Sequence, residues 1–290
     1  AIPYIFAVAV AAQPAEISPG TVSPGTVASK LAAQGDHHRA IQLYQEILSS
    51  HDSLTAPVQT HRGLAMSLLM TGRTAEASST VERAIARFPE DAGLKRVAAG
   101  IFSSQGQYAQ AIELLEQAIR QEPDQATDHA NLGGLHTNLG SYDDAEKALV
   151  RAAQLAPMDA VVHRRLGELY LKRHAYETAA DELSQAVRLE PTSPTTVYLL
   201  GQALEGMADL ESALARYELS REIDPSYMDA HYRTAQIARR LGQSIKADSA
   251  MAAYTHLQNV ADGDADALKQ MRALRDAIVE SGDQPDHVFA

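Results

Sequence analysis

Residues Ala126 to Asp159 read ATDHANLGGLHTNLGSYDDAEKALVRAAQLAPMD. This stretch of 34 residues predicts two short helices. The first is expected over about Asp128 to Leu139 and stops at Gly140. A helix commonly ends on a left-handed residue, and glycine adopts that conformation without Cβ strain. The second is expected over about Tyr142 to Leu155, with Pro157 closing it. Proline lacks the N–H that the next turn would need. With the stretch numbered 1 to 34, Leu132 and Gly133 are places 7 and 8, Ala145 is place 20, Leu149 place 24, Ala152 place 27 and Pro157 place 32.

The same places recur along the chain in windows 21–54, 58–91, 92–125, 126–159, 160–193, 194–227 and 228–261. Place 20 is Ala40, Ala77, Ala111, Ala145, Ala179, Ala213 and Ala247. Place 8 is always small: Ala28, Ala65, Ala99, Gly133, Gly167, Gly201, Ala235. Small residues at both places let two helices approach closely, and a bulky residue at place 24 (Tyr44, Val81, Leu115, Leu149, Leu183, Tyr217, Met251) fills the gap beside them. Place 15 is Gly35, Gly72, Gly106, Gly140 and Gly242, with His174 and Ala208 as departures. Place 32 is Pro89, Pro123, Pro157, Pro191 and Pro225, but Asp52 and Asn259 in the first and last windows.

This pattern of small residues, leucine, alanine and proline at fixed offsets over 34 residues resembles the tetratricopeptide repeat. The resemblance implies an all-α, right-handed superhelical solenoid of seven helix pairs. A C-terminal capping helix is expected over about Asp264 to Ser281, where Leu268, Met271, Leu274 and Ile278 form one apolar stripe. The first helix is expected to start with Ser23 as N-cap and Pro24 in its first turn. The seventh repeat has drifted, with Thr234 in place of leucine.

The repeats leave 20 residues before them and 29 after, too few for an independent catalytic domain. Residues 1–20 divide into an apolar, uncharged stretch, AIPYIFAVAVAA, and the start of a Pro/Gly linker that carries SPGTV twice. The apolar stretch is shorter than a membrane span and matches the core of a signal peptide. An extracytoplasmic location follows from that reading. The alternative is a segment docked on the solenoid or a partner, in a cytoplasmic protein.

Net charge is −12 and cysteine is absent. The charge argues against nucleic acid as a partner, and the missing thiols exclude disulfides and thiolate metal sites. No nucleophile elbow, P-loop or dinucleotide fingerprint occurs. No catalytic role, cofactor or small-molecule substrate is therefore expected. Four histidines share place 4: His61, His129, His163 and His231. Equivalent places in neighbouring repeats lie about 8–10 Å apart or more, whereas two imidazoles on one zinc must each reach about 2.0–2.1 Å. Packing, not metal binding, is the reading of these residues.

In the family, places 2, 5, 6, 9, 12 and 13 of each first helix point toward or border a concave ligand groove. Here the resemblance puts Arg62, Arg96, Asn131, Arg164, Arg165, Lys172, Tyr198, Tyr232, Arg233, Arg239 and Arg240 there, with few acids beside Glu168, Glu205 and Asp229. Gly93, Gly100, Ser103, Ser104, Gly134 and Thr137 are expected to leave the lining open. Chaperone-binding relatives grip a C-terminal carboxylate at five such places. Arg96, Asn131 and Arg165 match three in type, while Gly100 and Val161 fail the other two. The expectation is a protein-interaction scaffold that holds a partner segment, acidic or ending in a carboxylate, in a basic groove. The alternative is a structural subunit that uses its convex face, ends or apolar N-terminus in a larger complex.

Overall fold

The computed structural model describes residues 23–50 and 57–263. The apolar stretch 1–12, most of the linker and the expected capping helix over 264–281 lie outside the described residues. Among the described residues the fold is all-α, with fourteen helices and no strand.

The chain divides into two compact units, Ala1–Pro157 and Met158–Ala290. The first holds α1 (Pro24–Ala33), α2 (His37–Ser50), α3 (Val58–Met70), α4 (Thr74–Arg87), α5 (Ala92–Ser104), α6 (Tyr108–Gln121), α7 (Ala126–Leu139) and α8 (Tyr142–Leu155). The second holds α9 (Ala160–Lys172), α10 (Tyr176–Leu189), α11 (Pro194–Gly206), α12 (Leu210–Ile223), α13 (Met228–Arg240) and α14 (Ser244–Ala261). Within each unit an odd-numbered helix packs against the even-numbered helix that follows, and each even helix packs against the odd helix after it.

Every turn inside a pair has one hydrogen-bond design. After α7, Gly140 N–H donates to the Thr137 carbonyl and Ser141 N–H to the His136 carbonyl, the two bonds of a Schellman end. The same two bonds close α1, α3, α5, α9, α11 and α13. Gly140 has φ +78°, and the two place-15 departures obey the same geometry, His174 at +58° and Ala208 at +62°. The paired-helix architecture thus holds a left-handed backbone even where the side chain disfavours it.

The five place-32 prolines act one residue upstream. Phe88, Glu122, Ala156, Glu190 and Asp224 leave helical geometry (φ −122° to −138°) and cap 14-residue helices, because proline excludes the α region for the residue before it. Where Asn259 replaces proline, α14 runs on to Ala261 and reaches 18 residues.

The seven place-20 alanines are fully buried. At Gly133 an added Cβ would lie 2.8 Å from Leu149 Cδ2 and 3.1 Å from the Ala145 carbonyl, so places 8, 20 and 24 meet as the spacing implied. At Gly201 the occupant is Tyr217, whose ring a Cβ would meet at 2.7 Å. Ser220 takes the place-27 position usually held by alanine, is fully buried and donates to the Pro194 carbonyl at 2.8 Å. Ser23 caps α1 as expected, accepting from Thr26 N–H with Pro24 behind it.

Candidate functional site

The place-4 histidines are packing residues. His129 Nε2 lies 2.8 Å from the Pro123 carbonyl and His231 Nε2 lies 2.9 Å from that of Pro225, so each joins a first helix to the loop before it. His163 Nδ1 lies 2.7 Å from Glu182 Oε2. His61 stacks near Phe88, ring centroids 5.7 Å apart, and its buried Nε2 has no hydrogen-bond partner among the described residues. Burial, reinforced by Arg87 and Arg83, lowers the His61 pKa, and burial lowers that of His231.

In the first unit the expected basic lining is already matched by acids. Arg96 Nε donates to both Asp128 oxygens, at 2.9 and 2.7 Å, and its Nη2 to Glu122 Oε2 at 2.6 Å. Asp128 is 2% exposed. Burial pushes its carboxyl up against the pull of Arg96. The Arg96 guanidinium therefore ties α5 to α7 and the loop before it; it is not an open ligand-gripping cation. Arg62 Nε stands 3.7 Å from Asp91 Oδ1, and its side chain occupies the space that a Cβ at Gly93 would fill. Gly93 is thus a seat for Arg62 and not an opening in the lining. Asn131, expected to point toward or border the groove, is buried. Sequence reasoning missed Asp91, Asp128 and Glu122. Their signal was an acid at the end of one window or the start of the next, in reach of an arginine at place 5.

The second unit is arranged differently. Arg164 pairs with Glu168 one turn on. Arg165 is half-buried, and burial lowers its pKa. Tyr198 is 8% exposed and belongs to the core, packed on the rings of Tyr217 and Tyr227 at 5.4 and 5.3 Å, a second correction to the groove set. Tyr232 packs on Tyr254 of α14 at 5.2 Å. Arg239 Nη2 reaches Asp248 Oδ1 at 3.2 Å.

Lys172, Arg233 and Arg240 come together on a cleft of ≈ 650 Å³ formed by α9, α11, α13 and the start of α10. Its floor and walls include Leu171, Leu199, Tyr176, Gly206 and Gln202, with Glu168 and Glu205 as its acids. Glu205 is central. Tyr217 Oη donates to its Oε2 at 2.7 Å, while Arg233 Nη1 and Arg240 Nη1 face its Oε1 at 3.7 and 3.5 Å. Glu205 and Arg240 also border a second opening of ≈ 590 Å³ with Gln236, Ile237 and Arg239. Among the described residues, no group of three His, Cys, Asp or Glu side chains is placed to hold a metal ion, and no helix is long and apolar enough to cross a membrane.

A Tetratricopeptide repeat profile matches residues 103–169, and a second profile of that description matches 28–92 and 62–126. The chain belongs to the tetratricopeptide-repeat family. Repeats of this family generally mediate protein–protein interaction and are typically non-catalytic. No curated protein matches the chain in sequence. Among solved structures, the fold is similar to a tetratricopeptide repeat protein from Parabacteroides merdae (TM-score 0.67, 12% identity, 85% of this chain and 96% of that one). It is similar to a chain of the APC/C hetero-tetramer Cut9–Hcn1 (TM-score 0.69, 16% identity, 86% of this chain and 48% of that one). It is also similar to pilF of Pseudomonas aeruginosa (TM-score 0.60, 19% identity, 77% and 99%). At such identities the likeness shows the fold alone.

Proposed function

We propose that this chain is a non-catalytic scaffold that holds a segment of a partner protein on α9, α11 and α13 of its second unit. The observation that carries the reading is the cleft lined by Lys172, Arg233 and Arg240, where the two arginines face the Glu205 carboxylate. Lys172 has no ion pair among the described residues and is exposed. The partner segment that fits is acidic or ends in a carboxylate, since guanidinium groups bind carboxylates through parallel hydrogen bonds. The first unit supports this role less well, because Arg96 is already matched by two carboxylates.

The test is selection from a random 12-residue peptide display library on the immobilised full chain, followed by titration of the best synthetic hit. The expected hits contain acidic residues and bind more weakly as salt rises, because exposed charges are screened beyond about 8 Å at physiological ionic strength. Arg240→Gln should weaken binding about tenfold, as loss of a charged interfacial partner does. Hits without acidic residues, or equal affinity for wild type and Arg240→Gln, would leave the structural-subunit alternative in front.

A further inference from the structure

We infer that the second-unit cleft recognises an acidic side chain next to an apolar one, and that Glu205 is a built-in counter-charge that holds down its affinity for acids. This rests on the groove reading above and adds a ligand class and the residue that sets its strength.

The cleft arginines are paired differently from Arg96. Arg96 is charge-matched, with three contacts of 2.6 to 2.9 Å to two carboxylates. Such lengths are those of full charge-assisted hydrogen bonds. Arg233 and Arg240 instead share one oxygen of one carboxylate, at 3.7 and 3.5 Å. A guanidinium has five N–H donors. Arg233 gives one to Gln236 Oε1 at 3.3 Å and another to the Tyr198 hydroxyl, and both arginines keep donors for a further acceptor. Lys172 adds a third cation to the cleft, while the other acid, Glu168, is taken by Arg164. The lining therefore carries more positive charge than Glu205 balances.

Glu205 is anchored in the cleft. Its Oε2 is held at 2.7 Å by the hydroxyl of Tyr217, a residue fully buried in the core. Its negative charge therefore stays in the cleft when an acid arrives and opposes it. The apolar half of the site is equally fixed. The Tyr176 ring lies where a Cβ at Gly206 would stand, and its hydroxyl is 2.8 Å from His174 Nδ1. Leu171 and Leu199 pack on the buried core beneath and border the same cleft. An apolar ligand side chain seated there loses its contact with water, which favours binding.

The experiment uses three fluorescent dodecapeptides with Leu-Glu, Leu-Gln or Ser-Glu at the centre of a Gly/Ser frame, multimerised on streptavidin to raise weak affinities through avidity. They are titrated against the full chain, Glu205→Gln and Arg240→Gln, with thermal melts confirming that each variant is folded. Glu205→Gln keeps an acceptor for Tyr217, and Arg240 is exposed, so both are expected to fold. The expected result is tightest binding of the Leu-Glu peptide. Glu205→Gln should strengthen it about tenfold with the Leu-Gln peptide unchanged, and Arg240→Gln should weaken it. If Leu-Glu binds wild type but Glu205→Gln leaves that binding equal or weaker, the counter-charge inference is overturned while the groove reading stands. If the Leu-Gln and Ser-Glu peptides bind as tightly as Leu-Glu, the acid-plus-apolar specificity is overturned. If display-selected peptides bind elsewhere than the cleft, the groove reading itself fails.

Discussion

At place 4 the family pattern has an aromatic ring, and in this chain four histidines stand there. Each keeps the flat, packable ring and adds a polar edge that must be satisfied. His129 and His231 reach a proline carbonyl of the preceding loop, whereas His61 follows a window with Asp52 in place of that proline and has a buried Nε2 without a partner among the described residues. An unsatisfied buried polar atom costs about 1–3 kcal/mol. His61→Phe should therefore raise stability by about 1 kcal/mol in denaturant melts at pH 8. The lowered pKa of His61 also sets a sign for pH. In the unfolded chain this imidazole takes up a proton near its ordinary value of 6.5, and in the folded chain it resists protonation until lower pH. Its neutral form is fully compatible with the fold above that value, and stability is lost as pH falls through it. The gain from His61→Phe should thus be larger at pH 5 than at pH 8, and an equal or smaller gain at pH 5 would show that the ring is not shielded from protonation. His174 and Ala208 teach a related lesson: their left-handed backbones come from the Schellman bonds around them, so a glycine search alone underreads these turns.

At the scale of helices, the sequence was legible wherever one contact repeats. Alanine at place 20 sits under a small residue at place 8 and beside a bulky one at place 24, and all seven alanines are buried. Ala145→Leu should lower stability by about 1–3 kcal/mol, since extra methylenes in a filled contact force side chains or backbone to shift. Unchanged urea unfolding would mean that α7 and α8 do not meet there. The helix ends were legible too, because proline acts on its neighbour by local sterics alone. The start of α7 at Ala126, two residues ahead of the expected Asp128, was not, since Gln125 gives no side-chain cap to mark it. Pairing between repeats was legible least. Arg96 meets Asp128 across 32 positions, and nothing in a single window announces that the arginine is spent on its neighbour.

For the whole molecule, a net charge of −12 coexists with a cluster of cations on one cleft. The sequence pointed to arginines on the first helices, and the structure divides them by what they face. Those of the first unit are matched by carboxylates, Asn131 and Tyr198 are buried, and Lys172, Arg233 and Arg240 remain on an open surface. That division depends on distances between helices, which periodicity does not encode. On the proposed function, partners bind this face of the second unit. Hydrogen exchange by mass spectrometry on the full chain, with and without a saturating display-selected peptide, tests it most directly. Binding should protect peptides that cover Glu168–Lys172, Leu199–Gly206 and Arg233–Arg240, and leave α12 and α14 unchanged. Protection confined to α12 and α14 would contradict it.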